Sequence, residues 1–254
     1  GPTVYAQAAQ HGREINGTEV LRRVHDRLVD AELAGTVIAV PVANPVTFDR
    51  VSYTAPSPLD HVTPNMNRVW PGDADGSLHQ RMAARLWKYV SGADAVVDLH
   101  TGSPNMLPHV VYAAGDADAQ SLAAAFGTGL LLAEPAGEDA PEEWRKRGFD
   151  GKLRVAATRE GIPAITPELA HNKQLIDDAV ETGVTGLCNV LRSLDVMPGE
   201  PVENGAARQA RNHSGSVDAE ASGLFHVTAD VAVGDRIADG TTVGTVYDPG
   251  TYEP

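Results

Sequence analysis

Apolar positions along the chain change their period several times, and each change marks an element. "TVYAQAA" at 3–9 is a short apolar run and predicts a strand. In "NGTEVLRRVHDRLVDAELAG" at 16–35, Val20, Leu21, Val24 and Leu28 recur at helical spacing, and the run stops at Gly35, so this segment predicts an amphipathic helix. "TVIAVPVAN" at 36–44 is β-branched and bounded by Pro45, the pattern of a buried strand. A helix over 77–92, closed by Gly92, leads into a second buried strand, "ADAVVDLH", at 93–100. The stretches 109–115, 119–129 and 162–169 continue the alternation, and 175–195 is a last long amphipathic helix. Residues 45–76 stand apart: they are rich in Pro, Asn and Asp and have no period, and a loop of that length inside a domain is usually functional or disordered.

Alternating strands and helices imply an α/β fold in which a sheet is covered by helices on both faces. After "VMPGEPVENG" at 196–205 the texture changes to short β-branched runs broken by glycine, including "GDRIADGTTVGTV" at 234–246. That is the rhythm of tight turns in a small β module. The expected boundary lies near 198, giving an α/β domain over 1–197 and a C-terminal β module over 198–254. No internal repeat occurs.

With 254 residues, the chain has room for one large domain and an appendage. Its hydrophobic content of 42% is that of a globular protein, and no run of about 18 apolar residues suggests a membrane span. The sequence shows no basic region followed by an apolar stretch, so no signal peptide is expected. Cys188 is the single cysteine, which fits a reducing compartment and makes the cytoplasm the default location. Acidic residues outnumber basic ones 34 to 20, for a net charge of −14, which argues against a nucleic-acid partner. Homo-oligomerisation is left open by these properties.

Chemistry enters at "AAQHGREING", 8–17, where His11 and Glu14 follow a strand and lie three residues apart. Imidazole nitrogen and carboxylate oxygen are both good zinc ligands, and a catalytic zinc takes three protein ligands and keeps a position for water. His100, at the C-terminal end of another buried strand in "VVDLHTG", supplies a third. Asp98, two residues earlier, points to the same side of that strand and can hold a ligand histidine in the right tautomer. A His-x-x-Glu pair is common by chance, and a lone strand-end histidine is more often a satisfied core residue. The remaining histidines lack such placement and read as surface or core.

Two further segments add to the pattern. "NMNRVWPG" at 65–72 sets Asn67 beside Arg68, an amide and a guanidinium fork suited to a substrate carboxylate, where the plain alternative is a polar turn. "PAITPELA" at 163–170 ends an apolar strand with Glu168, a carboxylate placed as a general base would be; the plain alternative is an exposed strand terminus.

"HGREING", "NMNRVWPG", "DLHTG" and "ITPEL", in this order, resemble the signature of the succinylglutamate desuccinylase/aspartoacylase family, zinc-dependent deacylases related to the carboxypeptidases. Each motif is weak alone, and four in order are specific. The resemblance covers residues 1 to about 195 and implies a zinc carboxypeptidase-like fold with a C-terminal β domain. It implies one zinc held by His11, Glu14 and His100, a substrate carboxylate on Asn67 and Arg68, and Glu168 as the base that activates water. Arg68 or Arg13 would steady the oxyanion. Members that act on acidic substrates commonly carry another arginine shortly before the Asn-Arg pair. Here "SPLDHVTP" at 57–64 has none and carries Asp60, which points to neutral or basic N-acyl amino acids. The other readings are a zinc carboxypeptidase acting on peptide C-termini and a zinc-binding relative without turnover. The family also has strands beyond both ends of this chain.

Overall fold

In the computed structural model, which describes residues 1–103, 106–135, 140–203, 205–211 and 217–254, the first apolar run forms β1 (Thr3–Ala8). It pairs in parallel with β2 (Thr36–Val40) on one side and β3 (Ala95–Gly102) on the other. β6 (Ala164–His171) extends this parallel group along β3. β4 (His109–Ala113) runs antiparallel to β6 and starts a second parallel group with β5 (Leu130–Glu134) and β7 (Arg208–Arg211). The order is β2-β1-β3-β6-β4-β5-β7, and the reversal between β6 and β4 makes the sheet mixed.

Strand alternation sends side chains to two helical layers. Val4, Ala6 and Ala8 of β1 join Val97 and Leu99 of β3 against α1 (Asn16–Leu28), α4 (Ala117–Phe126) and α7 (Asp177–Ser193). Tyr5 and Val96 face the opposite way, against α3 (Leu78–Val90) and α6 (Leu153–Arg159), with Met66 and Trp70 filling the gap. Both faces are therefore covered, as the alternating pattern implies.

The aperiodic segment 45–76 is ordered by polar bonds where a hydrophobic period is lacking. α2 (Pro45–Phe48) starts with Pro at its first position and is capped by Asn44, whose side chain accepts from Thr47 N at 3.2 Å. A 3₁₀ turn spans Met66–Arg68. Between them, buried Asp60 accepts from His79 N at 2.9 Å, Ser77 Oγ at 2.8 Å and Thr63 N at 2.8 Å, and so ties the loop to the start of α3. Past β5, α5 (Glu142–Lys146) and α6 are too short to show a period.

Two boundaries differ from those read in the sequence. α1 ends at Leu28, well before Gly35. The first compact unit runs from Gly1 to Asn212, beyond the expected division near 198, because β7 pairs with β5. β7 reads "RQAR" and is exposed along its length, so it joins the sheet through polar pairing and not through burial of an apolar face. The second unit, His213–Pro254, holds β8 (Leu224–Val227) and β9 (Gly244–Tyr247) as an antiparallel pair. Among the described residues no helix is long and apolar enough to cross a membrane.

Candidate metal centre

Because β1, β3 and β6 are parallel, their C-terminal ends lie along one edge of the sheet, where open α/β sheets place their sites. At the end of β1, Ala9 takes a left-handed conformation (φ 49°) that turns the chain into His11. Gly12 then runs so close to α2 that a Cβ would lie 2.0 Å from the Thr47 carbonyl carbon. Only glycine fits there. Glu14 N donates to His11 O at 3.0 Å, a tight turn that folds the two side chains together.

His11, Glu14 and His100 are all buried, and one ligand atom from each lies within 4.8 Å of the others. Glu14 sits between the imidazoles, with Oε1 2.9 Å from His11 Nδ1 and Oε2 2.8 Å from His100 Nδ1. Thr101 N donates to Oε2 at 3.2 Å. The far nitrogens face oxygen acceptors: His100 Nε2 lies 2.9 Å from Asp98 Oδ2, and His11 Nε2 lies 3.1 Å from Asn65 Oδ1. With the ring protons on Nε2, both Nδ1 lone pairs are aimed at the Glu14 carboxylate, an arrangement that a cation between them would satisfy. The donor set thus fits a divalent metal bound through two Nδ1 atoms and Glu14, and three protein ligands are what a catalytic zinc uses.

Asp98 is itself held by donors. Gln7 Nε2 donates to its Oδ1 at 2.9 Å, and Gln10 Nε2 to its Oδ2 at 3.1 Å. Tyr5 Oη in turn donates to Gln7, and Trp70 Nε1 to Gln10. Every bond in this chain points toward the carboxylate, whose Oδ2 accepts from the imidazole N–H. Asn65 and Trp70 fall inside "NMNRVWPG", whereas Tyr5, Gln7 and Gln10 lie outside the four motifs. Their one trace in the sequence is a pair of glutamines in and after an otherwise apolar strand.

The electrostatics follow from this packing. Burial works against ionised Glu14, but His11 and His100 outweigh it and hold the carboxyl at about 2. Burial likewise opposes charge on His100, yet Asp98 and Glu14 hold it well above its usual range. Glu168 is the Cα partner of His100 across β3 and β6. Burial, followed by the charges of Glu14 and Asp98, pushes it up to about 7 against the pull of His100 and Lys152. Lys152 was not singled out in the sequence. Its Nζ donates to Glu134 at 3.1 Å and lies 4.1 Å from the Phe149 ring centre, and burial with Arg68 nearby lowers it to about 8. On the other side of Glu168 in the sheet is His109, whose Nδ1 bonds Leu107 O at 2.9 Å. His109 belongs to none of the four motifs; His213 lies outside the described residues.

The Asn-Arg pair is split by its contacts. Asn67 Oδ1 accepts from Leu153 N at 3.0 Å, while its Nδ2 faces His100 Nε2 at 3.4 Å. Arg68 lies over the Phe149 ring at 4.6 Å and donates to Asn67 O at 2.6 Å. Arg13 lies over the Tyr53 ring at 4.6 Å. Asp60, the acid in the segment without an arginine, is taken up by its cap on α3.

Residues 1–194 match the family model of the succinylglutamate desuccinylase/aspartoacylase catalytic domain. The chain is 31% identical to the N-alpha-acetyl-L-2,4-diaminobutyric acid deacetylase of Halomonas elongata, across 98% of this chain and 71% of that one. Among solved structures it is similar to a succinylglutamate desuccinylase/aspartoacylase from Rhodobacter sphaeroides, with a TM-score of 0.80 and 26% identity over 98% of this chain and 74% of that one. The product-bound ectoine utilization protein EutE (DoeB) from Ruegeria pomeroyi shares the fold with a TM-score of 0.81 and 23% identity, at the same coverage.

Proposed function

The chain belongs to the succinylglutamate desuccinylase/aspartoacylase family, deacylases of N-acyl amino acids, and from that membership we propose that it is a zinc-dependent hydrolase of an N-acyl amino acid's amide bond. The observation that carries the proposal is the buried His11, Glu14 and His100 group with Glu168 beside it in the sheet. When bound, the cation would make a water more acidic and polarise the amide carbonyl. Glu168 accepts the attacking water's proton and passes it to the leaving amine nitrogen, a role that suits a carboxyl poised near neutrality. Asp98 keeps the proton of His100 on Nε2 and its Nδ1 directed at the centre.

Arg68 binds the substrate carboxylate through its fork, and Asn67 Nδ2 is the second donor of the pair. Segment 57–64 contributes no cation, which favours a neutral or basic amino acid over an acidic one. The name of the Halomonas relative, a deacetylase for an amino acid with a second amine, supports the basic choice. The test is elemental analysis for zinc followed by a panel of N-acyl amino acids, N-acetyl-L-2,4-diaminobutyrate and N-acetylaspartate included, set against C-terminal peptides. Turnover of peptides alone would make the protein a carboxypeptidase, and zinc without turnover of any member would make it a binding protein.

A further inference from the structure

Tyr53 lies in the aperiodic segment, carries no motif, and touches three of the side chains that make the site. Its ring stacks on the His11 imidazole, with centroids 3.9 Å apart and planes 27° apart. The Arg13 guanidinium lies 4.6 Å from the ring centre. Its hydroxyl favours the charge of Arg68, against the burial that opposes it. The backbone around it is anchored: Ser52 N donates to Thr47 O at 3.0 Å, and Ala55 N to Pro64 O at 2.8 Å. Gly12 N, next to His11, donates to the hydroxyl of the same Thr47 at 3.1 Å. One short helix therefore supports both the metal-ligand turn and the tyrosine.

The geometry of His11 shows why a ring contact matters. Its two nitrogens are aligned by Glu14 and Asn65, at 2.9 and 3.1 Å. Hydrogen bonds at both nitrogens act in the ring plane and resist small out-of-plane tilts of the ring only weakly. A stacked face removes that freedom. Arg68 has a related need. Phe149 supports the face of its guanidinium and Asn67 O takes a bond from Nη1 at 2.6 Å, which leaves the Tyr53 hydroxyl as a further polar neighbour of the fork.

We propose that Tyr53 is a positioning residue, its ring setting the plane of His11 and its hydroxyl the direction of Arg68, so that metal ligand and carboxylate receptor are held in one arrangement. This rests on the functions proposed above for His11 and Arg68, and two substitutions separate its parts. Tyr53→Phe keeps the ring and removes the hydroxyl. It should hold zinc against a chelator as the parent does, and raise KM about three- to tenfold for the N-acyl amino acid found in the panel, with kcat unchanged and no effect on the matching carboxamide. Tyr53→Ala should in addition lose zinc at a roughly tenfold lower chelator concentration. Tyr53→Leu, which fills the space without offering a flat face, repeats the zinc measurement should the alanine variant fold poorly.

Parent-like zinc retention in both the alanine and leucine variants overturns the role of the ring. Equal changes for acid and carboxamide in Tyr53→Phe overturn that of the hydroxyl, provided Arg68→Lys still separates the two compounds. If Arg68→Lys does not separate them, the carboxylate assignment of Arg68 fails, and the hydroxyl's part with it. The zinc measurement on the ring stands apart from either result, because it needs no substrate.

Discussion

Asp98 Oδ2 lies 2.9 Å from His100 Nε2, on the side of the imidazole away from Glu14. A carboxylate in that position fixes the tautomer and strengthens the other nitrogen as a ligand. Asp98→Ala should therefore weaken zinc binding by about 10- to 100-fold in chelator competition, while His100→Ala should leave the protein without stoichiometric zinc. An Asp98→Ala protein with parental zinc affinity would show that the pair is structural only.

Glu168→Gln keeps the size and polarity of the side chain but cannot take a proton from water. It should bind zinc at the parental stoichiometry, melt within a few degrees of the parent, and lose at least about 100-fold in kcat. Retained zinc with retained activity would place the base elsewhere.

The pH dependence should carry the mark of Lys152. As the proposed base, Glu168 would act only when ionised, so kcat/KM should fall as pH drops through its pKa, which is about 7 without metal and would be drawn lower by a bound cation. Charged Lys152 also lowers that pKa. Lys152→Met should shift the acid limb to higher pH, costing more activity near pH 6 than near pH 8. A pH–rate profile whose limb stays in place, or moves to lower pH, rules this out.

Arg68→Lys replaces a two-pronged donor with a point charge. It should lower kcat/KM for the N-acyl amino acid by about tenfold or more and barely affect the analogue amidated at that carboxylate. Equal losses would assign Arg68 to the transition state or to folding.

Asp60 concerns stability. Burial opposes its charge, but donors from His79, Thr63 and Ser77 prevail and hold its pKa at about 2. A depressed pKa contributes stability above the unfolded value of about 3.9 that is lost as pH falls toward 2. Asp60→Ala should cost about 1–3 kcal/mol at neutral pH in urea unfolding and flatten the acid side of the stability curve. An unchanged midpoint would mean that the loop is held by other contacts.

Much of this protein is local information. The runs that became β1, β3 and β6 and the long periods of α1, α3 and α7 are set by neighbouring residues, because burial of one helix face or one strand requires a regular spacing of apolar side chains. The four motifs are local too, and with their order they point to the family and to His11, Glu14 and His100 as candidates for one site. Segments held by polar bonds have no such spacing. The loop secured by Asp60 and the exposed edge strand β7 left no period to read, which is why the pattern places a division near 198 while the first unit, through the pairing of β7 with β5, runs to Asn212.

Tertiary structure alone decided how the candidates meet. His100 reaches Glu14 because β1 and β3 pair in parallel in one register, with Ala8 opposite Leu99. That Nδ1 of each histidine faces Glu14 depends on acceptors from two other places in the chain, Asp98 and Asn65. Gln7 and Gln10 on Asp98, the charge of Lys152 on Glu168 and Tyr53 on His11 became visible only when distant segments were packed together. Periodicity records whether a side chain is buried. Hydrogen bonds, ring contacts and pKa values depend on distances of a few ångströms between residues far apart in the chain, and only the folded backbone sets those.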